Sequence, residues 1–395
     1  MIKSARYFWL VLFLCYFTAA YSTDSISFSH TGLRQAQVLA KKANKPVLLF
    51  CYASWCPHCK YMKENVFTQK EVADYFNKTF ICVSQDMEKG EGIEQNKVVK
   101  INSFPTFIIY DPNGIIVYRV EGELKPEAFI QEGKIALTSK KQLPYLKQQF
   151  ETDVSNSNNC YEYLRALKKG GLDYSQVTKQ YFATQGEDQL LSDVNWRIIS
   201  NGISDLNSRE LQFVSHHQIE FGKIASPLRV KRKLDYEVKE LLAPLVETSD
   251  TVNYRIKRRL AVQIHSFSSD SLIFCFDLRI AQLTKNWSLY RQTSLQYADT
   301  FAAHNHTQLT EIAGNFLKYI NDKEALSTAE LWSQKSLALD EEYDTYLLCS
   351  RLYQKTNNIP AAIKMAEKAK ELSAKYGWEG TEAEKLLKEL IDLKK

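Results

Sequence analysis

Two cysteines separated by two residues, Cys56 and Cys59, form a pair whose type and spacing can do chemistry. They lie in the run WCPHCK (residues 55–60), after an apolar stretch that ends at Tyr52 and before a helix-like stretch. A strand that turns into a helix here places the first sulfur at a helix N-terminus, where backbone N–H groups favour negative charge. Cys56 is therefore expected to ionise readily. Cys59 can then close onto a mixed disulfide formed at Cys56, which is thiol–disulfide exchange.

A zinc site is the main alternative for such a pair, but it needs four ligands. The other cysteines are scattered singly along the chain: Cys15, Cys51, Cys82, Cys160, Cys275 and Cys349. A purely structural disulfide is also disfavoured, because so short a loop removes little chain entropy and tends to be strained. We therefore expect no metal and no cofactor other than a redox-active Cys56–Cys59 disulfide.

The elements that must position this pair follow one another from about residue 44 to residue 129. Apolar, strand-like runs cover residues 47–52, 79–84, 103–110 and 115–118, and helix-like segments separate the first three of them. Asp111-Pro112-Asn113-Gly114 is a turn signal between the last two runs. Strands joined through helices and ending in a hairpin predict an α/β domain with a mixed sheet.

This order of elements resembles the thioredoxin fold over residues 28–138. The segments that carry the resemblance are residues 45–47, the run WCPHCK, residues 65–67 and residues 104–107. The resemblance implies that Cys56 attacks and Cys59 resolves. It places Pro105 where the superfamily has a cis-proline against the dithiol, with Trp55 and Phe104 in the substrate groove.

The redox direction stays open within the superfamily. The domain is most similar to extracytoplasmic thioredoxin-like domains, including that of a transmembrane carrier of reductant. Pro57 and His58, in contrast, resemble the dipeptide of periplasmic disulfide-forming oxidases, and we expect His58 to stabilise the Cys56 thiolate. Phe50 stands where thioredoxins commonly carry a buried acid. Cys51 and Cys82 are expected to be inert core residues, since free cysteine behaves as a small hydrophobe.

Residues 1–22 read as a secretory signal peptide, with Lys3 and Arg6 before an apolar run and small residues after it. That run is too short to span a bilayer comfortably. No later stretch approaches twenty apolar residues, so we expect no stable membrane span in the mature chain. The expected location is the bacterial periplasm, with secretion or an organelle lumen as alternatives.

The net charge of +5 is modest for 395 residues, and its basic runs read as solvated helix faces, so no nucleic-acid partner is expected. The polar stretch 151–159 is the clearest linker-like segment. We predict a thioredoxin-like domain over 23–140, a linker over 141–160 and an α-helical domain over 161–395.

A weak repeat lies near the C-terminus, where residues 329–339 align with residues 362–372 at an offset of 33. The small residues and the spacing resemble tetratricopeptide-type (TPR-like) helical hairpins at about 325–375, which pack closely through alanines. An idiosyncratic helical domain without a peptide-binding groove is an equal alternative.

The sequence therefore predicts an exported thiol–disulfide oxidoreductase that acts on protein clients and exchanges electrons with an upstream redox partner. It does not decide between a reductase, an oxidase and an isomerase. The helical domain is expected to bind a partner. Two alternatives remain: a scaffold protein that uses both domains as docking surfaces, and a dithiol metal-binding protein using Cys56, Cys59 and His58.

Overall fold

The computed structural model describes residues 25–29 and 31–394 and divides the chain after Gly186 into two compact units. The predicted signal peptide, residues 1–22, lies outside the described residues. Each unit is described here by itself.

The first unit is built on a five-stranded mixed sheet with the strand order β1-β3-β2-β4-β5. Its strands are β1 (Phe28–Ser29), β2 (Val47–Tyr52), β3 (Ile81–Asp86), β4 (Thr106–Tyr110) and β5 (Ile116–Glu121). β3 pairs in parallel with β1 and β2, whereas β4 pairs antiparallel with β2 and β5. The predicted mixed sheet and its final hairpin are confirmed.

The helices of the first unit include one π-helical turn, Met62–Val66, directly after α2, and one 3₁₀ turn, Ser139–Lys141. The α-helices are α1 (Gly32–Ala43), α2 (Pro57–Tyr61), α3 (Lys70–Thr79), α4 (Glu91–Val99), α5 (Pro126–Ala136), α6 (Leu143–Thr152), α7 (Ser157–Lys169) and α8 (Ser175–Phe182).

Strand β2 is apolar at every position because both faces of the sheet are covered. Its side chains alternate between two buried clusters, as the two-residue period of a strand requires. Leu48 and Phe50 enter the cluster that also holds Cys56 and Cys59. Val47, Leu49 and Cys51 enter the cluster on the opposite face, with side chains of α1. The strand that leads into the dithiol is thus fixed from both sides.

Residues 141–160, predicted as a linker, hold α6 and the start of α7 in the structure. The polar residues between the two helices make a tight capping turn. Asp153 accepts a hydrogen bond from the backbone N–H of Ser155, and the Asn156 side chain accepts from the N–H groups of Asn158 and Asn159. Asn at such a position caps a helix. The polar residues that suggested a linker therefore form the start of α7.

Helix α7 packs against β5 within the first unit. The Tyr118 hydroxyl of β5 donates to Glu132 at 2.6 Å, and Lys169 at the end of α7 bonds to both groups. A Cβ added to Gly170 would lie 3.1 Å from the Arg119 side chain, closer than ordinary van der Waals contact, so glycine suits this close approach. The compact unit therefore extends beyond the predicted boundary at residue 140.

We expect a fragment ending at Gly186 to be several kcal/mol more stable than one ending at residue 145. The shorter fragment lacks α7, whose Leu164 and Leu167 are buried, and full burial of one leucine side chain contributes about 1.5–3 kcal/mol. Urea unfolding of both fragments, followed by circular dichroism, measures the difference. Equal unfolding midpoints would place the domain boundary where the sequence predicted it.

The second unit is helical throughout its described residues. Its helices are α9 (Glu187–Leu190), α10 (Asp193–Gly202), α11 (Arg209–His216), α12 (Gln218–Ile224), α13 (Pro227–Glu247), α14 (Thr251–Val262), α15 (Phe267–Leu283), α16 (Trp287–Phe301), α17 (His306–Tyr319), α18 (Lys323–Leu339), α19 (Tyr343–Lys355), α20 (Ile359–Tyr376) and α21 (Thr381–Lys394). None of the helices described in either unit has both the length and the apolarity that crossing a membrane demands.

The helices at the end of the second unit form antiparallel hairpins, in which α18, α19, α20 and α21 each pack on the next. The sequence repeat aligns α18 with α20. Its small residues Ala329 and Ala362 are fully buried, as are Ser336 and Ala369 at the equivalent later positions. Small buried side chains let paired helices approach closely, which explains why the repeat has alanine and serine at these positions.

Helices α14, α15 and α16 enclose a groove of about 720 Å³. Its wall contains a buried charged network: Arg258 donates to both oxygens of Asp277 at 2.7 and 2.9 Å, and the Tyr254 hydroxyl donates to Asp277 at 2.7 Å. Burial, and after it the negative charge of Asp277, raises the pKa of Tyr254, so this hydroxyl remains protonated.

Candidate active site

The dithiol occupies the turn from β2 into α2. Cys56 is the N-cap of α2, with extended backbone, and Pro57 fills the first helical position, where a missing N–H costs nothing. The Cys56 sulfur accepts a hydrogen bond from the backbone N–H of Cys59 at 3.1 Å. This is the placement predicted for the first cysteine, because an N-cap faces N–H groups that no helical carbonyl satisfies.

The two sulfurs differ in their surroundings. Cys59 lies one turn inside the helix and is 1% exposed, and burial raises the pKa of its thiol to about 12. A hydrogen bond to Cys56 raises that pKa further, whereas Lys63 acts in the opposite direction. Cys56 is itself 5% exposed, less than the sequence suggested for a helix end. The order of the motif thus separates an outer sulfur that helix N–H groups can stabilise from an inner sulfur held as a thiol.

A rim of aromatic and loop groups borders Cys56. The Phe104–Pro105 peptide bond is cis, as the resemblance implies for Pro105, and the Phe104 carbonyl lies 3.6 Å from the Cys56 sulfur. The Trp55 ring meets Phe104 edge-on at 6.1 Å and is 67% exposed. The Trp55 indole N–H donates to Glu88 at 2.7 Å. The structure therefore brings Trp55, Phe104 and Pro105 together beside the first sulfur.

His58 points towards a carboxylate. Its ring is exposed, and Nδ1 lies 2.9 Å from Glu123 Oε2, in the segment between β5 and α5. Glu123 is 65 residues away in sequence, and no sequence signal pointed to it. The predicted action of His58 on the Cys56 thiolate therefore competes with this hydrogen bond and remains a prediction.

Lys63 is a second neighbour that the sequence analysis did not single out. It follows Cys59 by four residues, and its ammonium nitrogen lies over the Tyr52 ring, 3.3 Å from the centroid. The signal for it was present, since side chains four apart share one face of a helix. Glu88, which holds the Trp55 indole, had no such signal, because it comes from the loop after β3.

The other cysteines of the described residues lie outside this turn. Cys51, Cys82, Cys160 and Cys349 are buried and Cys275 is exposed, and all are free thiols. Burial raises the pKa of Cys51 beyond the range of biological pH and that of Cys82 to about 12. Both therefore behave as core residues, which agrees with the expectation that they are inert.

A candidate metal-ligand cluster lies away from the dithiol, in the second unit. Among the described residues, one group of three potential ligand side chains lies close enough to share an ion, and it consists of His306, Asp340 and Glu342 in the second unit. His58 is directed to Glu123.

Comparison with known proteins agrees with the fold of the first unit. Residues 33–136 match the family model of a thioredoxin-like domain. Thioredoxin Y of the Oryza sativa (subsp. japonica) chloroplast is 37% identical over 99 residues, which are 25% of this chain and 55% of that protein. The thiol:disulfide interchange protein DsbD of Vibrio vulnificus is 31% identical over 103 residues, which are 25% of this chain and 17% of that protein.

Solved structures give further matches, each covering less than a third of this chain. A provisionally assigned disulphide isomerase from Bacteroides thetaiotaomicron is 33% identical, covering 29% of this chain and 96% of that one, with a TM-score of 0.28. The DsbH oxidoreductase is 21% identical, covering 30% and 90%, with a TM-score of 0.27. The chain spans about half the length of thioredoxin Y and about a sixth of DsbD.

Residues 33–136 are therefore a thioredoxin-like domain, built on a mixed five-stranded sheet and followed by a largely helical region. Its dithiol has the sequence Cys-Pro-His-Cys, at residues 56–59.

Proposed function

We propose that the protein is a thiol–disulfide oxidoreductase that exchanges disulfides with protein clients through Cys56 and Cys59. The observation that carries the proposal is the placement of the Cys56 sulfur at the N-cap of α2, where it accepts the Cys59 N–H and borders the Trp55–Phe104 rim. A scaffold has no need of an intact dithiol in this position. The relatives named for disulfide interchange support the same chemistry.

In this proposal the Cys56 thiolate attacks one sulfur of a client disulfide, and the other client sulfur leaves as a thiolate. The Cys59 thiolate then attacks the Cys56 sulfur of the mixed disulfide. The second client sulfur leaves as a thiolate. The client disulfide has then been reduced by two electrons, and the Cys56–Cys59 dithiol has been oxidised to a disulfide. Run backwards, the same steps oxidise a client dithiol, so the direction depends on the potential of the couple. Pro105 and Phe104 supply backbone beside which a client strand can lie.

Reduction of insulin disulfides by the full chain tests this function. With dithiothreitol as the source of electrons, the wild-type protein is expected to accelerate precipitation of the insulin B chain. A Cys56→Ser/Cys59→Ser protein is expected to match the rate with dithiothreitol alone. Both proteins keep Cys275, so this exposed thiol cannot account for a difference. Equal rates would remove the dithiol from the function.

We expect the Cys56–Cys59 couple to be more oxidising than thioredoxin, whose potential is about −270 mV. The helix N-terminus stabilises the thiolate of the reduced form, and the nearby position 50 is a phenylalanine without opposing negative charge. His58→Ala removes a potential cation and should make the couple more reducing, by roughly 10–30 mV, where about 30 mV corresponds to 1.4 kcal/mol.

Glu123→Gln is the matched variant for this redox measurement. It removes a negative charge 2.9 Å from the His58 ring, a charge that opposes the thiolate, so it should shift the potential in the opposite direction, towards a more oxidising couple. Equilibration of each protein with glutathione buffers measures all three potentials. If His58→Ala leaves the potential unchanged, His58 has no part in setting it.

Export and partner binding complete the proposal. The charged and apolar pattern of residues 1–22 supports export to a periplasm or comparable compartment. N-terminal sequencing of the protein secreted by a bacterial host tests the cleavage.

The TPR-like hairpins near the C-terminus and the groove between α14 and α16 support a role of the second unit in binding a partner. In that case the isolated first unit reduces small disulfides normally but loses selectivity among protein clients.

A further inference from the structure

Lys63 follows Cys59 by four residues, so its side chain leaves the helix on the same face as Cys59, and it is exposed. Lys63 is the second residue of the π-helical turn Met62–Val66. Its ammonium nitrogen lies 3.3 Å from the centroid of the Tyr52 ring and 5.8 Å from that of the Phe50 ring. Cation–π contacts of this kind hold a lysine head in one place. The positive charge is therefore positioned by β2, the strand that leads into the dithiol.

The charged and titratable groups around Lys63 come from three elements. Cys56 and Cys59 precede it on the same helical segment, Tyr52 of β2 contacts it, and Asp86 at the end of β3 interacts with it electrostatically. Asp86 lies opposite Tyr52 in the sheet and pairs with Lys89 at 3.8 Å. Burial lowers the pKa of Lys63, while Cys59 and then Asp86 act to keep it protonated.

The resolving step needs a negative charge on Cys59 in surroundings that oppose it. Burial raises the pKa of Cys59 to about 12; a backbone hydrogen bond at Ala53 acts against this rise, and after it the positive charge of Lys63 does so. The apolar wall behind the dithiol offers no such help. Phe50 stacks on Phe107 at 5.4 Å and packs edge-on against Phe67 at 5.0 Å.

We propose that the Lys63 ammonium stabilises the Cys59 thiolate during resolution, and this inference rests on the proposed function. In the mixed disulfide, Cys59 loses its proton to water, and Lys63 offsets the resulting negative charge. The Cys59 sulfur then forms the bond to Cys56 as the bond from Cys56 to the client sulfur breaks. The client sulfur leaves as a thiolate and takes a proton from water. Lys63 touches no client atom and is a positioning residue, acting through Cys59.

Reaction of the reduced full chain with dithiobis(nitrobenzoate) separates the two steps. The first equivalent of nitrothiobenzoate appears when Cys56 attacks the reagent, and the second appears when Cys59 displaces it from Cys56. Stopped-flow absorbance resolves the two phases in a background in which Cys15 and Cys275 are replaced by serine. Lys63→Met is expected to slow the second phase about tenfold, because one pKa unit corresponds to a tenfold change in thiolate population. The first phase should change much less.

Two further variants fix the interpretation. Lys63→Arg keeps the positive charge, so its second phase should stay within about threefold of the wild-type rate. Lys60→Met removes an exposed charge one turn away that pairs with Glu64 at 3.8 Å, and it should leave both phases unchanged. The deficit of Lys63→Met should shrink as the pH rises through the titration of Lys63, because the neutral amine no longer stabilises a thiolate. With arginine at position 63 that loss should not occur.

A second phase equally slow in Lys63→Met and Lys60→Met would overturn the proposal. So would Lys63→Arg behaving like Lys63→Met, because the amine would then act as a proton acceptor and not as a charge. Failure of the proposed function has a different signature, since a wild-type protein without disulfide exchange shows no second phase at all. In that event, alkylation of Cys59 in a Cys56→Ser background still tests Lys63, with Lys63→Met expected to react about tenfold more slowly.

Discussion

Replacing Cys56 by serine is expected to abolish disulfide exchange, whereas replacing Cys59 by serine should leave the attack intact and trap the protein on its client. The reason is the unequal environment of the two sulfurs. Cys56 accepts the Cys59 N–H at the helix N-terminus, and Cys59 is a buried thiol whose pKa burial raises to about 12. Without Cys59 nothing in the turn displaces the client from Cys56.

Non-reducing electrophoresis and mass spectrometry measure this outcome. Reduced Cys59→Ser incubated with a disulfide-bonded client such as insulin should accumulate a covalent complex that dithiothreitol releases, and Cys56→Ser should form none. Alkylation of the reduced wild-type protein below neutral pH should label Cys56 before Cys59. This order of labelling follows from the raised pKa of Cys59, which keeps that thiol protonated until strongly alkaline pH. Preferential labelling of Cys59 or Cys82 would reverse the assignment of the two roles.

Asp277→Ala is expected to destabilise the second unit by about 2–3 kcal/mol, less than the roughly 3–5 kcal/mol for one partner of a fully buried ion pair, because the Arg258 side chain is 34% exposed and partly screened by water. Asp277 is buried and accepts hydrogen bonds from Arg258 and from the Tyr254 hydroxyl. Its loss leaves a guanidinium and a buried hydroxyl without their acceptor. Arg258→Met/Asp277→Leu removes both charges together and should cost less than the single change.

Asp299→Ala is the matched control for Asp277→Ala. Asp299 pairs with Lys335 at 3.7 Å on an exposed surface, where ion pairs contribute about 0–1 kcal/mol. Urea unfolding followed by tryptophan fluorescence reports on the second unit through the buried Trp332. If Asp277→Ala shifts the unfolding midpoint no more than Asp299→Ala does, the network does not hold the helices together.

Local patterns predicted the first unit well. The apolar run 47–52 became β2, and the turn signal at Asp111 became a turn in which its side chain accepts the N–H groups of Asn113 and Ile115. The dithiol lies at a strand–helix junction, as predicted. The run Phe104–Pro105–Thr106 leads into β4, also as expected. These features depend on neighbours in sequence, so period, turn chemistry and spacing were enough.

Features that depend on distant contacts could not be read from the sequence. The pairing of His58 with Glu123 and of Trp55 with Glu88 requires the folded sheet to bring loops together. The predicted linker is a related case, because Asn156 caps a helix with a side chain that also suits a loop. Only the contact of α7 with β5 decides between these readings, and that contact has no local signature.

The exposed indole beside the dithiol gives the first unit a built-in optical probe. Trp55 is the single tryptophan between residues 25 and 186, so all indole emission from a fragment of that length arises one residue from Cys56. A disulfide quenches an excited indole more strongly than a thiol does, and the ring is held by Glu88 and Phe104. The brightness of such a fragment therefore follows the oxidation state of its own dithiol, without any added dye.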